Sequence, residues 1–196
     1  MGRGRHPAAA PLLSGGIIMM KEIASIETQF IRNLRGIYRA EGLLVLALTR
    51  MVVAAEAPYV RAGLARHLEQ THHHLRRLDL VFNEIHRLST GGECSDIAAT
   101  ITETERGLRS LTYGPTLDRL LIGAARKIGY YEIAAYRVIV ARATELGYGS
   151  IAALLEWNLQ EEELCEYHLR NVEAEMNRSR APRGSYLSHG SGAVAS

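Results

Sequence analysis

Residues 30–52 read FIRNLRGIYRAEGLLVLALTRMV, a stretch in which apolar side chains recur at helical spacing. At about 100° per residue, one face of this helix carries a single stripe. The stripe consists of Phe30, Leu34, Ile37, Glu41, Leu44, Val45, Leu48 and Val52. A carboxylate at the centre of an apolar stripe is costly to bury unless it is paired, protonated or bound to a metal ion. The sequence therefore predicts that Glu41 meets a partner inside the fold.

The same pattern occurs near the end of the chain, where Glu162 lies among apolar residues. This second stripe consists of Ile151, Leu155, Leu159, Glu162, Cys165 and Leu169. Two carboxylates on the core faces of two helices are expected to meet, and a metal ion is the usual reason that carboxylates meet in a helical core. The two stripes together favour a metal site inside a helical bundle.

Proline and glycine residues divide the chain between residues 21 and 177 into four long helices and one short one. Pro58 and Pro115 suit first helical turns, and Gly91-Gly92 and Gly147 mark ends. We expect long helices at about residues 25–55, 58–88, 115–146 and 150–177, and a short helix at about 95–110. No segment shows the alternation of a strand. The pattern predicts an all-α, antiparallel four-helix bundle with one additional short helix between the second and third long helices.

The two ends of the chain differ from this pattern. Residues 1–20 and 178–196 contain proline, glycine and serine without a sustained apolar period, and we expect both to be disordered. Two arginines and a short apolar run near the start only weakly resemble a signal peptide, because two prolines interrupt them. A disordered leader, or a functional start at Met20, is the simpler interpretation.

Composition excludes several function classes. The formal net charge is +2 and charges of both signs are interspersed, which gives no indication of a nucleic-acid or membrane surface. No apolar run reaches the roughly 18 residues of a membrane helix. The two cysteines, Cys94 and Cys165, form neither a disulfide framework nor a CxxC motif. We therefore expect a cytoplasmic protein.

Further candidate ligands lie on the other two long helices. The second helix offers Glu69-x-x-His72, and the third offers Glu132. Di-metal carboxylate bundles take single glutamates from two helices and a Glu-x-x-His motif from each of the other two. Residues three apart share a helix face and can therefore reach one metal pair. On the fourth helix, Cys165 stands three residues after Glu162, where such a motif has histidine.

These residues also have simpler interpretations. Glu69 lies well off the axis of its apolar stripe, as a solvated residue would, and His72 only borders that axis. His67 suits a hydrogen-bonded boundary position as well as a ligand position, and we expect His73 and His74 at the surface because consecutive residues point in different directions. A cysteine in an apolar stripe, such as Cys165, is more often a small buried apolar residue than a ligand.

With these residues in view, the chain resembles the bacterial YciF-type ferritin-like family of stress-associated proteins over about residues 21–176. The resemblance rests on LRGIYRAE (34–41), HLEQTH (67–72), ARKIGYYEIAAY (125–136) and Glu161-Glu162. It implies a ferritin-like four-helix bundle that is usually a homodimer. It also implies a metal site built on Glu41, Glu69, His72, Glu132 and Glu162.

The chain departs from the family pattern in the third long helix. The usual motif there is Val-Glu-His-Tyr-Glu, whereas this chain has Gly129 and Tyr130 in place of the first glutamate and the histidine. One carboxylate that could complete a second metal position is therefore missing. The oxygen-rich ligand set suits iron or manganese better than copper or zinc, in a dinuclear or partly occupied site.

Two functions follow from these observations. The first is a non-haem di-iron or mixed Mn/Fe protein with an oxidase, peroxidase or iron-handling role, in which Tyr131 or Tyr136 supplies an electron or a hydrogen bond. The second is a non-catalytic homodimer with a degenerate site and a structural or partner-binding role in stress tolerance. Apolar residues beside the main stripes favour a dimer interface in either case, and these are Ile133, Val138, Val140 and Leu154.

Overall fold

All regular secondary structure in the described part of the chain is helical. The computed structural model describes residues 12–180, with side chains from residue 19 to residue 178. It contains α1 (Leu12–Ala54), α2 (Pro58–Glu84), α3 (Ser95–Ser110), α4 (Pro115–Glu145) and α5 (Gly149–Arg180). The prediction of an all-α chain with four long helices and one short helix is confirmed. No described helix has an apolar segment long enough to cross a membrane.

The helix boundaries agree closely with the prediction except at the start of the first helix and at the end of the second, which is Glu84 rather than a residue near 88. Pro58 and Pro115 lie in the first turns of α2 and α4, where the missing N–H removes no helical hydrogen bond. Helix α1 begins at Leu12 rather than near Ser25, so residues 12–20 of the predicted disordered leader are helical. Residues 1–11 of that leader lie outside the described residues, as do residues 181–196 of the predicted C-terminal tail.

The four long helices enclose one core. The most extensive contacts join α4 to α5 and α1 to α2, and further contacts join α2 to α5 and α1 to α4. Each long helix contributes large side chains that are at most 2% exposed, among them Leu34, Leu44, Leu64, Leu78, Leu121, Ile128, Ile151 and Leu155. Full burial of one such side chain contributes about 1.5–3 kcal/mol. The core therefore holds the four helices around a common centre.

The short helix α3 and the turn before α2 brace this arrangement. Helix α3 packs on α4 and α1, and a Cβ added at Gly107 would lie only 2.7 Å from Leu120 Cδ1, so the two helices approach closely there. The buried Asp118 carboxylate of α4 accepts hydrogen bonds of 2.9 Å from the backbone N–H groups of Glu56 and Ala57. These bonds tie the α1–α2 turn to α4 and so set the position of α2.

Candidate metal centre

Five titratable side chains from the four long helices meet in the core. Each is 0% exposed, and they are Glu41 of α1, His67 and His74 of α2, Glu132 of α4 and Glu162 of α5. Their side chains form two triads that share Glu162. One triad is Glu41, His74 and Glu162, and the other is His67, Glu132 and Glu162. Within each triad, one potential ligand atom from each residue lies within 4.8 Å of the others.

The predicted site residues fall into two groups in the structure. Glu41, Glu132 and Glu162 come together at the centre, although their role as metal ligands stays a prediction. Glu69 and His72 lie at exposed positions of α2 and belong to neither triad. The structure therefore does not bring the predicted Glu-x-x-His motif to the centre.

Of the two histidines in the centre, His67 was left open between a boundary position and a ligand position, and His74 was expected at the surface. His74 is fully buried, so the expectation of a surface position is wrong, and His67 is buried rather than at a boundary. Helix α2 buries one face at alternating steps of three and four, namely Val60, Leu64, His67, Thr71, His74, Leu78 and Val81. The apolar stripe predicted for this helix was centred instead on Leu64, Leu68 and Leu75, and the step of four from Leu64 to Leu68 moves about 40° around the helix. A seven-residue repeat, with Val60, His67, His74 and Val81 in equivalent positions, was the signal that could have found both histidines.

Hydrogen bonds surround one half of the centre, which we call the hydrogen-bonded half and define as Glu41 and His74. The Tyr136 hydroxyl donates a bond of 2.5 Å to Glu41 Oε1, and His74 Nδ1 lies 3.1 Å from the same oxygen. His74 Nε2 lies 3.1 Å from Glu161 Oε2. Arg77 holds Glu161 through two bonds of 2.7 and 2.8 Å. The imidazole is therefore fixed, with Nδ1 facing the buried carboxylates and Nε2 facing the partly exposed Glu161.

Asn158 supports the same half from α5. Its Nδ2 donates a bond of 3.0 Å to the Tyr136 hydroxyl oxygen, and its Oδ1 accepts a bond of 2.7 Å from Arg77. Asn158 is itself fully buried. The Tyr136 hydroxyl, which accepts from Asn158, is thereby oriented to donate to Glu41.

The other half, which we call the open half, consists of His67 and Glu132. His67 Nε2 lies 3.9 Å from Glu132 Oε2 and 3.7 Å from Glu162 Oε1, and both distances are too long for hydrogen bonds. Both ring nitrogens of His67 and both carboxylate oxygens of Glu132 and of Glu162 lack a hydrogen-bond partner among the described residues. A buried polar group without a partner costs about 1–3 kcal/mol, and a charged one costs more. This half is therefore built from groups that require a further partner.

Two groups of the centre have pKa values shifted in favour of their neutral forms. Burial raises the pKa of Glu132 well above its usual range, and the nearby carboxylates of Glu162 and Glu41 raise it further. Burial and the Glu41 carboxylate likewise raise the pKa of the Tyr136 hydroxyl. Carboxylates in such proximity resist simultaneous ionisation, and a divalent cation between them removes that conflict.

The pKa values of His74 and of its surface partner Glu161 are shifted in opposite directions. Burial lowers the pKa of His74, but the Glu41 charge and the bond to Glu161 outweigh it, so that the pKa rises to about 10. The hydrogen bond from His74, together with Arg77, lowers the pKa of Glu161 to about 2 despite partial burial. Glu161 is therefore a carboxylate at physiological pH, with His74 on one side and Arg77 on the other.

The residues that depart from the family pattern lie in different places. A Cβ added at Gly129 would stand 3.7 Å from Glu162 Oε2, so this glycine borders the centre and leaves space beside Glu162. Tyr130 and Tyr131 are 53% and 38% exposed, and the Tyr130 hydroxyl donates to Glu166 rather than to the centre. Of these two tyrosines and Tyr136, only Tyr136 contacts the centre.

The chain is similar to known proteins over most of its length. A family model described as "Domain of unknown function (DUF892)" matches residues 25–181. The chain is 32% identical over 149 residues to protein YciF of Escherichia coli (strain K12), which covers 76% of this chain and 90% of that protein.

Two solved structures extend this similarity to the fold. The E. coli stress protein YciF matches with a TM-score of 0.75 and 30% identity, over 79% of this chain and 98% of that chain. YcfI of Rhodopseudomonas palustris, provisionally called a structural protein, matches with a TM-score of 0.70 and 32% identity. That match covers 74% of this chain and 92% of the other.

Proposed function

The chain belongs to the DUF892 family, and we propose that it is a ferritin-like protein that binds iron or manganese in the core of an antiparallel four-helix bundle. The observation that carries the proposal is the open half of the centre. Its histidine and carboxylate, together with Glu162, are fully buried and have no hydrogen-bond partner among the described residues. Buried polar groups are ordinarily satisfied. A metal ion would satisfy one ring nitrogen of His67 and one carboxylate oxygen each of Glu132 and Glu162 at once.

The donor set fits such an ion. Each triad offers one imidazole nitrogen and two carboxylate groups. Carboxylates with few imidazoles suit iron and manganese. Glu162 is common to both triads, so it would bridge two metal positions. Three protein residues per position leave coordination sites open, and an iron or manganese ion bound there would supply redox chemistry toward oxygen or peroxide.

The hydrogen bonds to Glu41 and His74 have the arrangement by which proteins usually orient metal ligands. A metal-ligating histidine usually donates its second ring N–H to a carboxylate. His74 has this arrangement, because Nδ1 faces the triad and Nε2 bonds Glu161. Tyr136 bonds only one oxygen of Glu41, and the other oxygen, Oε2, has no partner among the described residues. Tyr136 thereby leaves Glu41 Oε2 available to a metal.

Family membership supports a role in stress. The E. coli relative is called a stress protein, and we extend this role to the present chain as iron or manganese handling, with oxidase or peroxidase activity as its enzymatic form. A cytoplasmic location is part of the proposal. Both Cys94 and Cys165 are free thiols, which a reducing compartment would maintain.

The proposal includes a homodimer, but the surface differs from the one expected. Ile133 belongs to the core, and Val140 and Leu154 pack against it. Of the four residues expected at an interface, only Val138 is well exposed, at 46%. These residues therefore offer little contiguous surface to a second copy.

Three large apolar side chains are exposed on α5. Trp157, Leu164 and Tyr167 are 60%, 50% and 49% exposed, and large exposed apolar patches usually mark interfaces. We propose that these side chains join two copies. Sedimentation should give a dimer for the parent and a monomer for Leu164→Glu, and a parent that sediments as a monomer at micromolar concentration would contradict the proposal.

A metal-free structural role is the second candidate. It is favoured by the ion pair between Glu41 and His74, because an imidazolium there would balance buried carboxylates without a metal. The relative from R. palustris, provisionally called structural, is consistent with it. This candidate leaves the unbonded atoms of the open half without a function.

Metal titration of untagged, metal-free protein separates the two candidates. We expect the parent to bind Mn²⁺, or Fe²⁺ without oxygen, and Glu132→Gln to bind at least about 10-fold more weakly. Glu69→Gln is the matched control, because Glu69 is exposed and outside both triads. A parent that binds neither ion, or a Glu132→Gln variant that binds as the parent does, would favour the structural role.

A further inference from the structure

Arg77 of α2 binds two side chains of α5 that stand between the centre and the solvent. Its guanidinium donates bonds of 2.7 and 2.8 Å to the two oxygens of Glu161, and Nη1 donates a further bond of 2.7 Å to Asn158 Oδ1. Glu161 and Asn158 are three residues apart on one helix, so a single planar group reaches both of them. Arg77 therefore holds these two side chains in a fixed relation to each other.

Two series of hydrogen bonds lead from this guanidinium to the centre. Glu161 Oε2 lies 3.1 Å from His74 Nε2. Asn158 Nδ2 donates a bond of 3.0 Å to the Tyr136 hydroxyl, which in turn donates to Glu41. His74 and Glu41 belong to the same triad. Both series therefore end on one candidate metal position.

The other candidate position has no comparable support. None of the side-chain nitrogen or oxygen atoms of His67 and Glu132 has a hydrogen-bond partner among the described residues. Their common neighbour Glu162 likewise has no such partner for either oxygen. The guanidinium therefore acts through its partners on the hydrogen-bonded half and not on the open half.

We propose that Arg77 is a positioning residue for a Mn²⁺ position beside Glu41 and His74, where its fork fixes the two α5 side chains that orient these ligands. This inference rests on the proposed function, that the centre binds metal. A guanidinium suits the task because its donors have a rigid planar arrangement, whereas the ammonium of lysine is a point charge on a flexible stem. Loss of such an outer partner typically costs about 10–100-fold in metal affinity.

Arg126 of α4 is a closely matched control. It also pairs with a glutamate of α5, because its Nη2 donates a bond of 2.7 Å to Glu166. The exposed fractions of the two arginine side chains are 16% for Arg77 and 17% for Arg126. Arg77 Cζ lies 5.8 Å from the ring centroid of Trp157, and Arg126 Cζ lies 5.7 Å from that of Tyr130. The printed hydrogen bonds of Arg126 reach no member of a triad.

Titration of metal-free, full-length protein with Mn²⁺ compares the two arginines. Arg77→Gln should weaken one Mn²⁺ position by at least about 10-fold and leave the other as in the parent. Arg126→Gln should bind Mn²⁺ as the parent does, although it loses a comparable ion pair. Arg77→Lys keeps the charge but not the fork, and its affinity should fall between those of Arg77→Gln and the parent.

Electron paramagnetic resonance and anomalous diffraction locate the loss. Two Mn²⁺ ions bridged by Glu162 in the parent should be spin-coupled. Arg77→Gln, at a Mn²⁺ concentration that fills both positions of the parent, should instead show the hyperfine pattern of an isolated ion. Its anomalous peak should remain in the open half and disappear beside Glu41 and His74. A general loss of stability would weaken both positions together, so a selective loss separates positioning from a purely structural role.

Several results would overturn the role of Arg77 while the metal centre stands. These are parent-like Mn²⁺ binding by Arg77→Gln or by Arg77→Lys, an equal loss in Arg126→Gln, equal weakening of both positions, and a parent that holds Mn²⁺ only in the open half. If Arg77→Gln does not fold, Arg77→Lys is compared with Arg126→Lys by the same criteria. A parent that binds no Mn²⁺ would also overturn the role, and one that binds neither Mn²⁺ nor Fe²⁺ would overturn the proposed function as well.

Discussion

The two halves of the centre solve the problem of buried charge in different ways. In the hydrogen-bonded half, Glu41 and His74 are joined to each other and to Tyr136 and Glu161. In the open half, His67 and Glu132 approach no closer than 3.9 Å and form no hydrogen bonds with described residues. Both halves lie in one core and are equally buried, so burial alone does not distinguish them.

The difference indicates which half depends on an external partner. A network in which every member has a partner can stabilise a fold, whereas a half-satisfied one destabilises it. In the hydrogen-bonded half only Glu41 Oε2 lacks a partner among the described residues, so this half should be the more stable of the two without metal. The open half should be a source of instability until a cation binds, and binding should then raise the free energy of unfolding.

The largest expected effect is a difference between two glutamate substitutions in the metal-free protein. Glu41→Leu removes the acceptor of Tyr136 and the partner of His74, and should lower the free energy of unfolding by about 3–5 kcal/mol. Glu132→Leu removes a buried carboxylate that has no hydrogen bond, and should leave that free energy unchanged or raise it by about 1–3 kcal/mol, the cost of burying a polar group without a partner. Urea unfolding measures both. Equal losses in the two variants would show that the halves do not differ.

A smaller effect is expected from one hydroxyl group. Tyr136→Phe removes the donor to Glu41 and should lower the free energy of unfolding by about 1–3 kcal/mol. Tyr131→Phe, on the same helix but partly exposed, is the control and should change it by less than about 0.5 kcal/mol. If both variants unfold at the same urea concentration as the parent, the bond from Tyr136 contributes little to the hydrogen-bonded half.

Acid should weaken the hydrogen-bonded half through Glu161. Its pKa in the fold is about 2, below its ordinary value of 4.5, so its charge stabilises the fold above pH 4.5. That contribution should disappear as the pH falls toward 2. Urea unfolding of the metal-free protein should therefore depend less on pH for Glu161→Gln than for the parent over this range. Glu163→Gln, which alters a more exposed ion pair with Arg137, should follow the parent.

The smallest effects are expected at the two predicted ligands that the structure leaves at the surface. Glu69→Gln and His72→Ala should each change the free energy of unfolding by less than about 0.5 kcal/mol. Neither should alter metal affinity, because neither residue belongs to a triad. A loss of metal binding in either variant would mean that α2 presents a different face to the metal.

The sequence predicted the helices well because their boundaries have local causes. Pro58 and Pro115 suit the first turn of a helix, and α2 and α4 begin at them. The short helix was predicted at its observed position, Ser95–Ser110. The early start of α1 was missed because Gly15-Gly16 and the leader composition suggested a coil, yet the helix continues through them.

The centre was predicted only in part, and the reason is geometric. Glu41 and Glu162 interrupt strongly apolar stripes, so the sequence alone places them in the core. On α2, the buried face includes Thr71 as well as two histidines, and its apolar signal is correspondingly weak. His72 and His74 lie on either side of the centre of this face. A shift of about 40° in the centre of the face, which corresponds to one four-residue step, decides which of the two is buried. Contacts with neighbouring helices, rather than local sequence, decide this rotation.

Anomalous diffraction tests the central claim most directly. Crystals of untagged protein grown with Mn²⁺, and separately with Fe²⁺ in the absence of oxygen, should be measured on both sides of the absorption edge of the metal. We expect an anomalous peak in the core, bounded by His67, Glu132 and Glu162, with a second peak beside Glu41 and His74 where both positions are filled. An empty core, with metal bound only at surface sites such as Glu69 and His72, would contradict a metal centre in this protein.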